Sequence, residues 1–297
     1  MPSLTLPHAT RRQFLVAAGA TAASLTFTRG LTASTQVDAG PLRVALLSDT
    51  HVPADASERY RGFSPVENLS TVVPAVMAAP VEGTLICGDI ARLQGTPEDY
   101  ARVSGLLAPI AAKMPLAMVL GNHDHRANFL DAFPQQRAAS AGVTNRHTIS
   151  REARGLRFIL LDSLLAPNVT PGQLGNAQRT WLSTELAAST TPTVIVLHHS
   201  LGTNDGDLVD VDRLFDVLGP HRHVKAILYG HSHEYKVTER DGIQLINLPA
   251  VGYNFADKEP IGWVESAWTT EGVDLTLRSI GGNQSANGQT TQVRWAR

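Results

Sequence analysis

The chain has 297 residues, of which 43% are hydrophobic and 18% are charged, and its formal net charge is -2. This balance is ordinary for a globular protein with a sizeable core, and it gives no reason to expect a nucleic acid polymer or an anionic membrane surface as partner. The single cysteine, Cys87, excludes a disulfide within the chain and a cysteine-rich zinc site, and its apolar neighbours predict a buried thiol.

An arginine pair, Arg11-Arg12, precedes a short apolar and alanine-rich run, Phe14 to Phe27. The run is shorter than the roughly 20 residues that a membrane-spanning helix needs. The layout resembles a twin-arginine export signal, and the alternative is an N-terminal amphipathic helix with a chance arginine pair. The resemblance implies that the twin-arginine machinery exports the folded protein to the periplasm or beyond, with residues 1–40 as signal and short linker. Retention of an uncleaved signal as a membrane anchor is the other outcome.

From Leu42 onward, short runs rich in Val, Ile and Leu alternate with helical stretches. The runs predicted as buried strands are Leu42–Ser48, Gly83–Cys87, Leu116–Leu120, Leu156–Leu161, Thr193–Leu197 and Val224–Tyr229. The predicted helices are Val66–Ala79, Pro97–Ala112, Asn176–Ala188 and Asp210–Leu218. After Gly242 the pattern returns to strands, among them Gly262–Trp268 and Val273–Arg278. This alternation predicts a layered α/β fold, with residues 41–297 forming one domain.

Candidate metal ligands directly follow five of these predicted strands. The groups, in chain order, are Asp49-Thr50-His51, Gly88-Asp89, Gly121-Asn122-His123-Asp124, His198-His199 and Gly230-His231-Ser232-His233. Open α/β sheets place their ligand sites at the carboxyl ends of their strands. Core packing explains such groups poorly, because buried carboxylates and imidazoles need partners. The recurrence after five strands therefore predicts a metal site.

This ordered pattern resembles that of the calcineurin-like metallophosphoesterases, and the resemblance extends from Leu42 to about Asn254. It implies a four-layer α/β/β/α sandwich of two mixed sheets flanked by helices, with two metal ions held between strand ends. The ligands it implies are Asp49, His51 and His233 for the first metal, Asn122, His198 and His231 for the second, and Asp89 as the bridge between both. In the neighbouring pair, His198 is the expected ligand, and His199 is expected to pack or to contact a ligand from outside.

The expected chemistry is attack of a metal-bridging hydroxide in line with the leaving oxygen of a phosphate ester. Mixed oxygen and imidazole ligands suit iron, manganese, zinc or cobalt. By the resemblance, His123 protonates the leaving oxygen or stabilises the transition state. Asp124 is expected to orient His123 by accepting its other ring proton. The alternative for Asp124 is a carboxylate that caps a turn.

Within the family, the Gly121–Arg126 segment looks closer to bacterial cyclic-nucleotide and glycerophosphodiester phosphodiesterases. Purple acid phosphatases have a tyrosine where this chain has Arg92, so an iron-tyrosinate site is not expected. The Ser200–Asn204 segment replaces the prolines usual in the phosphodiesterase group. The resulting hypothesis is hydrolysis of small phosphodiesters, with a phosphomonoesterase or nucleotidase, or a metal-binding scaffold without activity, as the alternatives.

Several further side chains admit more than one interpretation. His125 and Arg126 could contact substrate phosphate or lie at an exposed helix start, and His147 could approach the site. A surface loop is the better interpretation for the two histidines at positions 221 and 223, and Trp181 is expected in the core. The metal identity, the natural substrate and the oligomeric state are open.

Overall fold

The computed structural model describes residues 40–139 and 142–297. The export signal expected in residues 1–40 lies outside this part of the chain except for Gly40, and the one-domain assignment of residues 41–297 stays a prediction. Among the described residues, none of the helices has the length and apolar character that crossing a membrane requires.

The first sheet combines parallel and antiparallel strands. Its members are β1 (Leu42–Leu47), β2 (Gly83–Cys87), β3 (Leu116–Val119), β10 (Pro260–Thr269), β11 (Gly272–Gly282) and β12 (Thr290–Arg294). The spatial order is β12-β11-β10-β1-β2-β3. Strands β1, β2 and β3 pair in parallel, whereas β10 runs antiparallel to both β1 and β11. The three parallel strands therefore end at the same edge of the sheet.

The second sheet is mixed in the same way. Its members are β4 (Ile149–Ala153), β5 (Leu156–Leu160), β6 (Thr193–Val196), β7 (Val224–Tyr229), β8 (Lys236–Arg240) and β9 (Ile243–Asn247). The spatial order is β4-β5-β6-β7-β9-β8. Strands β5, β6, β7 and β9 are parallel, and β4 and β8 are antiparallel edges.

Helices connect the parallel strands. Those of the described residues are α1 (Pro65–Ala78), α2 (Pro97–Lys113), α3 (Arg126–Ala132), α4 (Pro134–Ala139), α5 (Gly175–Ala187) and α6 (Val211–Leu218). The N-terminal caps of α1 and α2 explain why these helices begin where they do. Ser64 accepts the Glu67 N–H ahead of Pro65, and Thr96 and Asp99 form a capping box around Pro97.

Alternating side chains on the strands divide the core into layers. In β1, Leu46 joins a cluster built from both sheets, whereas Leu47 faces the cluster that contains Leu69 and Leu107 of α1 and α2. A third cluster packs the second sheet against α5 and α6. Each sheet thus buries one face on the other sheet and one on helices, which confirms the predicted α/β fold of two mixed sheets flanked by helices.

The first six predicted strands and the four predicted helices all occur, with ends within one residue of those expected. Cys87 is fully buried, as predicted. Trp181 on α5 is partly buried and packs against the cluster that contains Leu182 and Leu186, so it lies at the edge of the core. The sequence pattern did not reveal β4, β8, β12, α3 or α4.

Candidate metal centre

The predicted ligand groups meet where β1, β2, β3, β6 and β7 end. Backbone hydrogen bonds join the loops that follow these strands: Asp49 N–H donates to the Gly88 carbonyl at 3.0 Å, and His51 N–H donates to the Asp89 carbonyl at 2.9 Å. Across the second sheet, Gly230 N–H donates to the His198 carbonyl at 2.9 Å. The loops are therefore fixed by the sheets that end in them.

One group of potential ligands consists of Asp49, His51 and His233, whose donor atoms all lie within 4.8 Å of one another. Nε2 of His233 is 3.3 Å from Oδ1 of Asp49 and 3.1 Å from Nε2 of His51. The other ring nitrogen of His233 contacts the Tyr253 carbonyl at 2.6 Å. That contact aims Nε2 at the group, as an outer partner does for a histidine that binds metal.

A second group consists of Asp89, His198 and His231, again with donor atoms within 4.8 Å. Nε2 of His198 lies 3.4 Å from Oδ2 of Asp89, and its Nδ1 contacts the Cys87 carbonyl at 2.7 Å. Asn122, which belongs to the same predicted set, is buried in the loop after β3, the strand next to β2. The structure thus brings Asp89 together with the two histidines of the second predicted set.

Asp89 lies between the two groups. Its Oδ2 is 3.6 Å from Nε2 of His51 on one side and 3.4 Å from Nε2 of His198 on the other. Its Oδ1 accepts the His123 N–H at 2.8 Å, which fixes the direction of the carboxylate. A carboxylate in this position can reach cations on either side.

The buried polar atoms of the centre that have no hydrogen-bond partner include Oδ1 of Asp49, Oδ1 of Asn122 and Nε2 of His198. Leaving a buried polar atom unsatisfied costs about 1–3 kcal/mol, so such atoms normally have a function. All three are of the kinds that coordinate iron, manganese, zinc or cobalt. The residues present therefore fit the metal ions that the family resemblance implies.

The charges of the centre favour cation binding. Burial lowers the pKa of His51 to about 3 and that of His231 to about 4, so both imidazoles are neutral and can coordinate metal at neutral pH. Although burial lowers the pKa of His198, the carboxylates of Asp89 and Asp49 raise it to about 9. This rise reflects the negative potential that the two carboxylates create.

Five of the predicted ligands have left-handed backbone conformations. Their φ angles lie between 46° and 71°, and the residues are Asp49, His51, Asp89, His231 and His233. Side-chain-bearing residues rarely adopt this region, and each instance costs of order 1–3 kcal/mol. Such strain is typical of functional sites.

Two glycines allow the loops to approach the carboxylates. A Cβ on Gly121 would lie 2.2 Å from Oδ1 of Asp89, and a Cβ on Gly230 would lie 2.0 Å from Oγ of Ser48 and 2.5 Å from Oδ2 of Asp49. No side chain fits at either position. The glycines in the sequence groups therefore have a packing reason.

The expected contact between Asp124 and the His123 ring is not formed, and that prediction was wrong. The Asp124 carboxylate accepts hydrogen bonds from the N–H groups of Ile90, Ala91 and Gly121 and from the Tyr100 hydroxyl. Nδ1 of His123 instead lies 3.0 Å from the Leu93 carbonyl. Asp124 therefore caps the loops after β2 and β3, which was the alternative interpretation.

The His123 side chain nevertheless reaches the centre. One of its ring nitrogens lies within 4.8 Å of the donor atoms of His51 and Asp89. Burial raises the pKa of Asp124 to about 6, and the charge of Asp89 adds to this effect. Through the hydrogen bonds that it accepts from the N–H groups of Ile90, Ala91 and Gly121, Asp124 fixes the backbone of the loop that carries Asn122 and His123.

The remaining histidines of residues 40–297 lie outside the ligand groups. His199 is buried next to His198, and its Nδ1 lies 2.7 Å from Oγ of Ser163. His125 caps α3 by accepting the Asn128 N–H, so it lies at a helix start, and Arg126 pairs with Asp162. Nε2 of His147 contacts the Met118 carbonyl. The partly exposed histidines at 221 and 223 lie in the turn before β7, as expected.

Aromatic residues that the sequence pattern did not indicate lie around the first group. Tyr253 stacks on His51 with ring centroids 4.8 Å apart, and Phe255 stacks on His233 at 4.2 Å. Both follow β9, whose end carries no aspartate or histidine. Only their position in the sheet order places them next to the centre.

A two-sheet sandwich with carboxylates and imidazoles gathered at its strand ends defines the class of the metallophosphoesterases, which are metal-dependent phosphoester hydrolases. The sequence model of the calcineurin-like phosphoesterase family matches residues 42–235. The chain therefore belongs to this family.

Similar proteins agree with this assignment. The chain is 25% identical over 233 residues to a protein of Synechococcus named as a probable cyclic nucleotide phosphodiesterase, covering 76% of this chain and 87% of that protein. It is 29% identical to a 3',5'-cyclic adenosine monophosphate phosphodiesterase of Pseudomonas aeruginosa, covering 74% and 79%. The fold is similar to that of a dimetal phosphatase from Danio rerio, with a TM-score of 0.68, 16% identity and coverage of 86% and 100%.

Proposed function

We propose that the chain binds two metal ions and hydrolyses small phosphodiesters. The proposal rests on the position of Asp89. Its Oδ2 lies 3.6 Å from Nε2 of His51 in the first group and 3.4 Å from Nε2 of His198 in the second. In this proposal Asp49, His51 and His233 hold one ion, Asn122, His198 and His231 hold the other, and Asp89 holds both. Iron, manganese, zinc and cobalt suit these ligands.

Two bound cations would activate a water molecule for in-line attack on phosphorus and neutralise the charge of the phosphate. The side chains of the centre would position the cations and the leaving oxygen. Asp89 is held by the His123 N–H, and the ring of His123 stands beside the same carboxylate, where it can donate a proton to the leaving oxygen. Asp124 acts through the backbone that it caps and not through the His123 ring.

Preference for diesters is supported by the relatives, whose names describe cyclic nucleotide phosphodiesterases. The test pairs elemental analysis with hydrolysis of bis(4-nitrophenyl) phosphate and 4-nitrophenyl phosphate. Two metals per chain and faster diester cleavage are expected. A preference for the monoester would make the protein a phosphomonoesterase, and metal-free, inactive protein after reconstitution would indicate a scaffold. Asp89→Asn, purified in parallel, controls for contaminating phosphatases.

We also propose that the protein is exported by the twin-arginine machinery. The proposal rests on Arg11-Arg12 and the apolar run that follows them. Replacing both arginines by lysine should retain the protein in the cytoplasm when cell fractions are compared by immunoblot. Unchanged export of the double variant would contradict the proposal.

A further inference from the structure

Two exposed aromatic rings border the proposed metal centre on the side of the first group. Phe255 is 49% exposed and stacks on the His233 imidazole, with ring centroids 4.2 Å apart and planes inclined by 24°. Tyr60 is 38% exposed and lies 4.4 Å from Tyr253, which in turn stacks on His51. Each exposed ring is thus at most one ring away from a proposed ligand.

Both rings are fixed by their surroundings. The guanidinium of Arg92 lies over the Tyr60 ring, 5.0 Å from its centroid, and Nε of Arg92 donates to the Glu58 carboxylate at 2.9 Å. Phe255 packs edge-on against Tyr253, with centroids 5.8 Å apart. A ring that is already ordered loses little entropy when a ligand stacks on it.

Two further residues with exposed apolar side chains lie on backbone segments that contact residues of the centre. The carbonyl of Leu93, which is 45% exposed, faces the His123 ring. Exposed Val169 follows Asn168, whose N–H donates to the Asn122 carbonyl at 2.6 Å. Exposed apolar groups that gather around one site mark a ligand surface, whereas single ones do not.

Resting on the proposed phosphodiesterase function, we infer that Phe255 forms a stacking platform for a nucleobase of the substrate. The preferred substrates are then nucleoside phosphodiesters, and simple alkyl diesters such as glycerophosphodiesters are poor ones. In this inference, one alcohol group of a phosphodiester held between the two ligand groups lies next to Phe255, because Phe255 stacks on His233 of the first group. Because every nucleobase has a π face, a stacking platform accepts purines and pyrimidines alike.

The test uses two chromogenic diesters with the same leaving group. One is thymidine 5'-(4-nitrophenyl phosphate), and the other is methyl 4-nitrophenyl phosphate, which lacks the nucleoside. The metal-loaded wild type is compared with Phe255→Leu, which keeps an apolar side chain of similar size, and with Phe255→Trp, which keeps an aromatic face. Metal content is measured for each variant, so that damage to His233 is detected separately.

The wild type should cleave the thymidine ester with a higher kcat/KM than the methyl ester. Phe255→Leu should lower kcat/KM for the thymidine ester about tenfold, mainly through KM, and leave the methyl ester within about twofold. Phe255→Trp should restore the preference. Equal losses on both esters, or no loss on either, would overturn the inference. Failure of the metal-loaded wild type to cleave either ester would instead refute the proposed function.

Discussion

Gly121→Ala changes the geometry of the proposed centre without removing a ligand. The new Cβ would lie 2.2 Å from Oδ1 of Asp89 and 2.5 Å from the Asp89 backbone nitrogen. The backbone cannot retreat easily, because β2 and β3 are parallel neighbours with Cys87 opposite Val119 just before the two loops. The carboxylate of Asp89 must therefore turn away from the position between the two ligand groups.

The size of the effect follows from this overlap. Contacts of 2.2 Å and 2.5 Å fall well short of ordinary van der Waals separation, so atoms must move by about 1 Å. Overpacking of this kind costs about 1–3 kcal/mol of unfolding free energy. Displacing a group that orients or supplies a metal ligand lowers metal affinity by about 10- to 100-fold. We expect the variant to fold, to bind metal more weakly and to lose hydrolysis accordingly.

The assay is equilibrium dialysis against limiting metal followed by elemental analysis, with urea unfolding measured in parallel. Gly105→Ala is the matched control, because Gly105 lies exposed within α2 and a Cβ there would have no neighbour within 4 Å. This control should gain about 0.5–1 kcal/mol of stability and bind metal as the wild type does. Wild-type metal affinity and activity in Gly121→Ala would refute the reasoning that the position of Asp89 controls the centre.

Four further outcomes are expected. Asp89→Ala should release at least one metal ion, and full retention by elemental analysis would contradict the bridging role. His123→Ala should keep its metal and lose about 10²- to 10⁴-fold in kcat, whereas parallel loss of metal would assign His123 to coordination. Chelation should abolish hydrolysis and lower the melting temperature, and both should return with added metal; an unchanged melting temperature would oppose a bound ion. Burial lowers the pKa of His147, so the unfolded chain binds a proton there more readily and stability falls as the pH drops below about 6.5. In urea titrations, His147→Gln should lose less stability between pH 7 and 5 than the wild type, and equal losses would exclude this contribution.

The sequence was sufficient to predict that these residue groups meet, because each group directly follows an apolar strand. Asp49 and Asp89 follow β1 and β2, which pair in parallel, so their closeness depends only on the pairing of two neighbouring strands. The same holds for His198 and His231 after β6 and β7. Parallel strands end together, and the sequence therefore brings the residues together once the fold class is known.

Contacts that depend on side-chain direction could not be predicted in this way. His123 and Asp124 are adjacent in sequence, yet the carboxylate turns away from the ring to the Tyr100 hydroxyl at 2.8 Å. Tyr100 lies on α2, and no local pattern connects it with the loop after β3. For the same reason the sequence does not predict that Tyr60 and Phe255 lie near the centre, since both rings are placed there by contact with Tyr253.

The strained conformations of the ligands connect the fold to the chemistry. Left-handed φ angles at Asp49, His51 and Asp89 persist because neighbouring loops hold the backbone, as when Gly252 N–H donates to the Asp49 carbonyl at 2.9 Å. The pairing of the surrounding backbone thus offsets a conformational strain of order 1–3 kcal/mol at each of these residues. A ligand held in this way cannot relax outward when its partner changes. The donor atoms of the proposed ligands are consequently preorganised for a cation, whereas the proposed substrate preference depends on the exposed ring of Phe255.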